Sequence, residues 1–357
     1  MEQELGPAEA LDRIVYLLDR ALEEGPKVRA FLRAAEVVRE TGDDEIRRLH
    51  AEGRLKDLAG IGDTTARVIA EALDGKVPSY LEHLESETVL DDGDEEVAKL
   101  RRALRGDCHV HSRWSDGGAS IETMALAARS LGHDYIVMTD HSPRLTIAHG
   151  LNRERLLEQL DEIAALNEQL APFRILTGIE VDILEDGALD QDDDILERLD
   201  VVVASVHSKF RMERAEMTRR MVLAVANPHT DILGHCTGRK VPGSERPIGK
   251  SKFTGRPGVQ FDAELVFAAC KQFDTALEIN CRPERMDPPD ELLELALDWD
   301  LKLAIDTDAH APGQLEWQRF GCEKAVRHGV EPERVVNTLS ADDLVAWTRA
   351  RASASSS

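Results

Sequence analysis

The sequence predicts an α/β fold, a distorted seven-stranded (β/α)7 barrel of TIM type preceded by a small all-α domain. Three observations predict it. Seven short β-rich runs follow residue 105, with amphipathic helical stretches between most of them. Residues 1–86 carry only helical periodicity. The length, 357 residues, suits about two domains.

Each element can be justified in order. Leu11, Ile14, Leu17, Leu18 and Leu22 recur at helical spacing, as do Val28, Phe31, Leu32, Ala35 and Val38. Thr41-Gly42-Asp43-Asp44 is a helix stop followed by a fresh N-cap. Leu55-Lys56-Asp57-Leu58-Ala59-Gly60-Ile61-Gly62-Asp63 then runs into a helix carrying Ala66, Ile69 and Ala70. Residues 81–100 hold eight acids and one Lys, which reads as a solvated linker or charged helix end. Asp92-x-Asp94 within that run is therefore not taken as a metal-binding pair.

The strand runs are 107–111, 135–140, 174–181, 201–207, 231–236, 276–281 and 303–308. Helical stretches lie at 121–131, 153–170, 215–226, 263–271 and 291–297. Strands alternating with helices imply a parallel sheet, and seven such units imply a closed barrel. The Ser/Ala-rich end, from residue 351, reads as disordered. The expected division is a helical domain over 1–86, an acidic linker over 87–103, a barrel over 104–345 and a disordered tail over 346–357.

Composition excludes several classes. A formal net charge of −24 argues against a protein held on DNA or an anionic membrane by a broad basic surface. Aromatic residues, at 4%, are too few for a stacking platform for bases. The five Cys form no CxxC pair and are odd in number, which argues against a disulfide framework and for a reducing compartment. The acidic N-terminus does not read as a signal peptide, and no apolar stretch is long enough for a bilayer, so the expected location is cytoplasmic.

The chemistry lies at the ends of the strands. The first ends in His109-Val110-His111, whose period of two puts both imidazoles on one face. The second runs into Asp140-His141, the third ends in Glu180, the fourth in His207, the fifth in His235 and the seventh in Asp308-Ala309-His310. Asp116 lies in a Gly-rich loop after the first strand. In a parallel barrel these C-terminal strand ends surround one mouth. Six His and three acids there suit Zn, Mn or Fe, and burying them together without cations would be costly.

Several segments carry a resemblance: Asp107-Cys108-His109-Val110-His111-Ser112, Ser115-Asp116-Gly117, Thr139-Asp140-His141-Ser142, Gly178-Ile179-Glu180-Val181-Asp182, Ala204-Ser205-Val206-His207-Ser208, Gly234-His235-Cys236-Thr237-Gly238-Arg239 and Asp306-Thr307-Asp308-Ala309-His310. Together they resemble the PHP (polymerase and histidinol phosphatase) family, above all the C-terminal PHP domain of bacterial family X DNA polymerases. The resemblance covers roughly residues 105–345. It implies a trinuclear site with two to three divalent ions. His109, His111, Glu180 and Asp308 would hold the first ion. Glu180, as a bridge, would hold the second with His207 and His235, and Asp116, His141 and His310 would hold the third. Cys236 stands where such proteins commonly have Pro and reads as a small buried residue; Cys108 is expected to face the helices.

Leu58-Ala59-Gly60-Ile61-Gly62 resembles a helix-hairpin-helix motif, in which backbone N–H groups of Gly60, Ile61 and Gly62 would contact a DNA phosphate. Lys27-Val28-Arg29-Ala30-Phe31-Leu32-Arg33-Ala34-Ala35 resembles the small N-terminal domain of the same polymerases. Two departures limit the resemblance. Val68 occupies the position best aligned with the Schiff-base Lys of lyase domains, and only the acidic segment stands where a polymerase palm would be, so neither lyase nor polymerase activity is expected.

The activity implied is metal-dependent phosphoester hydrolysis. The substrates implied are DNA ends, through 3′-to-5′ exonuclease or 3′-end phosphatase action. Asp140, Asp182 and Asp306 are candidates for orienting His ligands, and Arg239, Arg282, Lys209 and Arg144 for holding phosphate oxygens. The main alternative is a phosphatase of a small metabolite such as histidinol phosphate, since residues 1–80 carry a net charge of −5. An amidohydrolase barrel would place a carboxylated Lys where His207 stands, and a non-catalytic binding module would not need nine ligand-type residues.

Overall fold

The computed structural model describes residues 5–23, 25–88, 94–249 and 251–355. The chain divides into two compact units, Met1–Asp91 and Asp92–Ser357. Asp92 of the pair Asp92-x-Asp94 and part of the expected linker fall outside the described residues.

The first unit contains α1 (Pro7–Arg20), α2 (Pro26–Thr41), α3 (Asp43–Ala51), α4 (Asp63–Leu73) and α5 (Ser79–Glu87). Its core gathers the predicted apolar faces, with Leu11, Ile14 and Leu18 of α1 packed with Phe31 and Val38 of α2 and Ile69 of α4. Phe31 stacks on Tyr80 with ring centroids 5.2 Å apart.

The second unit begins with α6 (Glu95–Ala103). Seven parallel strands then follow in the order of the chain: β1 (Gly106–Val110), β2 (Tyr135–Met138), β3 (Arg174–Asp182), β4 (Val201–Ser205), β5 (Ile232–Leu233), β6 (Ala276–Asn280) and β7 (Leu303–Asp306). Between and after them come α7 (Ile121–Ser130), α8 (Arg153–Leu170), α9 (Asp193–Leu196), α10 (Arg214–Val225), α11 (Ala263–Phe273), α12 (Asp290–Asp298), α13 (Gln318–Arg327) and α14 (Ala341–Ser355). Side-chain caps start several of them: Ser120 accepts the Thr123 N–H and Asn152 the Arg155 N–H. β1 meets the end of β7 through a Val110–Ala309 bridge and a 2.8 Å bond from the His111 N–H to the Ala309 carbonyl, so the barrel is nearly closed.

The barrel interior has an apolar floor. Tyr135, Leu176, Val203, Ile232, Ala276 and Ala304, from six different strands, pack with Leu344 and Val345 of α14. Alternate residues such as Ile136, Met138 and Ile175 face α7 and α8 instead. This alternation leaves the C-terminal strand ends free to carry polar groups.

Four expectations need correction. β5 is cut to two residues because the chain turns after Gly234: His235 takes φ +20° and the Gly238 N–H bonds back to its carbonyl. Cys108 packs among the floor residues rather than against the helices, because the β1 register shifts between Asp107 and Val110. Residues 95–103, expected within a linker, form α6; Asp94 caps it, and Val97 and Leu100 are buried. Residues 346–355, expected to be disordered, continue α14, which is anchored by the buried Arg351. Residues 356–357 fall outside the described residues. All five cysteines are buried and unbridged, and no described helix is long and apolar enough to cross a membrane.

Candidate metal centre

All nine expected side chains lie at the C-terminal mouth of the barrel. Glu180, fully buried on β3, is at their centre. Its Oε1 lies 2.8 Å from His235 Nε2 and 3.2 Å from His207 Nε2. Its Oε2 lies 2.9 Å from His141 Nδ1, 3.3 Å from His109 Nε2 and 3.6 Å from His111 Nε2. Asp308 Oδ1 is 3.5 Å from His111 Nε2. Asp116 Oδ1 is 3.3 Å from His310 Nε2 and 3.5 Å from His141 Nε2.

These separations carry chemical meaning. Two adjacent donors held about 2.0–2.2 Å from one first-row ion stand roughly 2.8–3.6 Å apart, the short end for octahedral and the long end for tetrahedral geometry. Several of the facing atoms also lack any hydrogen bond despite being buried, among them His109 Nε2, His111 Nε2, His207 Nε2 and Glu180 Oε2. Buried polar atoms are ordinarily paired. A donor set that is close together, unpaired and mixed imidazole–carboxylate fits divalent transition ions. Three groups are close enough for this: His111 with Asp116, His141 and His310; His109 with His111 and Glu180; and His141 with Glu180 and His207.

The electrostatics agree. Burial would push the Glu180 carboxyl up, yet His207, His109 and His141 hold it well below its usual range. Burial also opposes a charged His141, but Glu180 and Asp116 push it up to about 10. His111, by contrast, is held down by burial and by His310 and His141. The carboxylates therefore draw positive charge into the mouth, while the crowded imidazoles resist supplying all of it as protons. Asp308 adopts a left-handed backbone (φ +53°), a strained choice of the kind that clusters at functional sites.

The surrounding groups sort the remaining expectations. Asp182 does orient a ligand-type imidazole, with Oδ1 3.2 Å from His207 Nδ1. Asp140 does not; it accepts the Ser112 N–H and hydroxyl at 2.8 and 2.6 Å and the Gln159 amide at 2.6 Å, and so holds the loop that carries Asp116. Asp306 accepts the Cys108 N–H and the Asn337 amide, both at 2.8 Å, and ties β7 to β1. Arg282 reaches the centre, with Nη1 2.8 Å from the Asp308 carbonyl and from His310 Nδ1. Arg239 instead donates to the Arg285 and Met286 carbonyls, Lys209 pairs with Glu185 at 3.2 Å, and Arg144 pairs with Asp190 at 3.6 Å. Cys236 is buried, and burial pushes its thiol well up.

Three residues at the mouth escaped the sequence reading. Glu278 on β6 has Oε1 2.6 Å from His109 Nδ1, and its Oε2 accepts the His235 N–H. Asn280, two residues on, donates to Asp308 Oδ2 at 3.2 Å. Arg285 Nε bonds the same oxygen at 3.0 Å. The available signal was the period of two in Glu278-Ile279-Asn280, the same spacing that singled out His109 and His111.

In the first unit, Gly60 takes φ +102° in the loop before α4. The Ile61 N–H donates to the Leu58 carbonyl at 3.1 Å and the Gly62 N–H to Thr65 Oγ1 at 2.9 Å. Asp63, the first residue of α4, pairs with Lys56. Two of the three expected phosphate donors are thus already engaged, beside a carboxylate.

Residues 107–239 match the PHP domain. The DNA polymerase/3′-5′ exonuclease PolX of Bacillus subtilis is 40% identical over 246 residues, 69% of this chain and 41% of that protein. This chain therefore spans about two fifths of that relative's length. A "Probable phosphatase" of Thermoanaerobacter sp. is 28% identical over 244 residues, 65% of this chain and 89% of that protein. The solved histidinol phosphate phosphatase of Lactococcus lactis, in complex with zinc, L-histidinol and phosphate, is 18% identical with a TM-score of 0.41, covering 62% of this chain and 94% of that one.

Proposed function

We propose, from the match of residues 107–239 to the PHP domain, that the protein is a metal-dependent phosphoesterase acting on DNA ends, as a 3′-to-5′ exonuclease or a 3′-end phosphatase. The observation that carries the chemistry is Glu180 with eight close His and Asp partners gathered about it, several of their facing atoms unpaired. His109, His111, Glu180 and Asp308 would hold one ion; Glu180, His207 and His235 a second; and Asp116, His141 and His310 a third. Such ions supply a water whose pKa is lowered toward neutrality and positive charge for the phosphate oxygens. The protein's part is to fix and shield. Glu278 and Asp182 orient His109 and His207. The apolar floor keeps the site dry from below. Arg282 and Arg285, both bonded to Asp308, aim further positive charge at the mouth.

The similarity to a polymerase/3′-5′ exonuclease supports DNA as substrate. The loop at Gly60–Gly62 would add a phosphate contact through the Gly60 N–H, which among the described residues has no partner. A second reading, a small-metabolite phosphatase, is favoured by the net charge of −5 over residues 1–80 and by the two engaged N–H groups. The deciding experiment compares a labelled 3′-phosphorylated oligonucleotide with histidinol phosphate under Mn²⁺ and under Zn²⁺. We expect the oligonucleotide to give roughly tenfold higher kcat/KM, worth about 1.4 kcal/mol of transition-state binding. The opposite ranking would replace the first reading with the second.

A further inference from the structure

The segment between β5 and α11 contradicts the charge of the rest of the chain. Residues 239–256 contain six Lys and Arg against one acid, Glu245, in a protein of net charge −24. Its described residues make an excursion closed by antiparallel pairs. The Val259 N–H bonds the Thr237 carbonyl at 2.8 Å, Lys240 and Arg256 exchange both backbone bonds at 2.9 and 2.7 Å, and the Gly243 N–H bonds the Phe253 carbonyl at 2.7 Å. It is fastened to the loop after β6, because the Val241 N–H donates to the Glu284 carbonyl at 2.7 Å and Arg239 Nε to the Arg285 carbonyl at 3.1 Å. Arg285 in turn bonds Asp308 of the metal centre.

Lys240 is the anomaly. Its side chain is half-buried, yet among the described residues its ammonium makes no hydrogen bond or ion pair. Glu284, whose carbonyl holds the Val241 N–H, turns its carboxylate to Arg282 Nε at 3.2 Å instead. Burial lowers the Lys240 ammonium, and Arg285, with Arg282 and Arg256, lowers it further against the opposing pull of Glu284. Arg256 is only partly engaged: it stacks 4.1 Å from the Phe210 ring centroid and donates through Nη2 to the Gly238 carbonyl, while its Nε is buried without a partner. A partly buried, unpaired cation among guanidiniums is destabilising unless an anion completes it.

We propose that Lys240, with Arg256 and Arg285, forms an anion subsite beside the metal centre for a second phosphate of the same substrate, so that the favoured substrate is a phosphodiester strand with at least two linkages. The inference rests on the phosphoesterase reading and names its substrate class. A strand with its scissile phosphate at the ions would lay the next phosphate along the excursion, which Arg285 links to Asp308. Farther out, the exposed Phe253, with Arg246 5.5 Å from its ring centroid, offers a flat face for a base.

The test titrates the metal-loaded full chain calorimetrically with two hydrolysis-resistant probes, a thymidine dinucleotide with one phosphorothioate linkage and a trinucleotide with two. The second linkage is expected to strengthen binding roughly tenfold in the unaltered protein, the effect of one charge-assisted contact. Lys240→Met is expected to reduce that gain to about twofold or less, and Lys240→Arg to keep it. No gain from the second linkage in the unaltered protein, or a gain that survives Lys240→Met, would overturn the inference. Equal weakening of both probes by Lys240→Met would also overturn it, by showing that Lys240 supports the loop rather than the ligand. Turnover of a single-phosphate aryl ester by the unaltered protein is measured separately. Its absence would strike the phosphoesterase reading alone, since probe binding is read without turnover.

Discussion

Glu278 sits where His109 and His235 meet, one oxygen 2.6 Å from His109 Nδ1 and the other accepting the His235 N–H. It turns His109 Nε2 toward Glu180, as the partners of metal-bound imidazoles do. Glu278→Gln is expected to weaken metal retention about 10- to 100-fold, read as metal content after dialysis against graded chelator. Unchanged retention would show that packing alone orients the ring. Eight of the nine ligand-type residues were legible because each stands near or just beyond the C-terminal end of a strand run, where His or acid interrupts apolar residues, and Asp116 because it follows the first of them in a Gly-rich loop. Glu278 was not, since it lies inside the run from Ala276 and its partner is 169 positions away. His133 illustrates a different residue-scale effect. It is buried with Nε2 3.1 Å from Gln318 Oε1, and burial, aided by Arg101, lowers it to about 3. The unfolded chain therefore binds a proton below about pH 6.5 that the folded chain refuses, so stability is full above that pH and falls as pH drops toward 3. Relative to His133→Asn, the unaltered protein should lose up to about 1.4 kcal/mol per pH unit in that window. Urea unfolding at pH 7, 6 and 5 would show it, and parallel stability curves would exclude it.

Strands and helices with clear periodicity were legible at the scale of elements; the departures have local causes. The β1 irregularity follows from Asp107, whose Oδ1 accepts the His109 N–H 3.1 Å away and kinks the strand, a tertiary detail that alternation does not reveal. The acids of α6 read as solvated because only Val97 and Leu100 mark its inner face. The end of α14 read as disordered for a similar reason: its anchor is one arginine, a residue type usually found in water. Arg351 is 3% exposed, with Nε 3.2 Å from Asp231 Oδ1 and donations to the carbonyls of Phe273 and Pro228, both at 3.0 Å. Even with that partner, burial raises Asp231 to about 6. Removing the guanidinium would strand a buried carboxylate under the barrel floor. Arg351→Leu is expected to cost about 3 kcal/mol in urea unfolding, and adding Asp231→Asn should recover most of it. A loss below about 0.5 kcal/mol would mean that the helix is held by Leu344 and Val345 alone.

At the scale of the whole molecule, the decisive quantity is a net charge of −24 against a substrate that is itself an anion. Long-range attraction is absent, so binding must come from short-range cations. Three divalent ions would change the total only to −18, but they would lie beside Arg282, Arg285 and Lys240 at one mouth. This arrangement makes a distinctive prediction about salt. A protein that holds nucleic acid on a basic surface makes about 6–10 phosphate contacts, and its affinity falls steeply as salt rises. Here no more than about three phosphates can be neutralised at the mouth, so the slope of log K against log salt for a single-stranded end should be shallow, about −2. Fluorescence anisotropy of a labelled oligonucleotide between 50 and 200 mM KCl measures it, across screening lengths of about 14 down to about 7 Å. Chelation of the metal should abolish the binding, because the ions supply the largest share of the positive charge. A slope steeper than about −5, or binding that survives chelation, would move the nucleic-acid contact away from the mouth and onto the first unit, whose charge over residues 1–80 is −5.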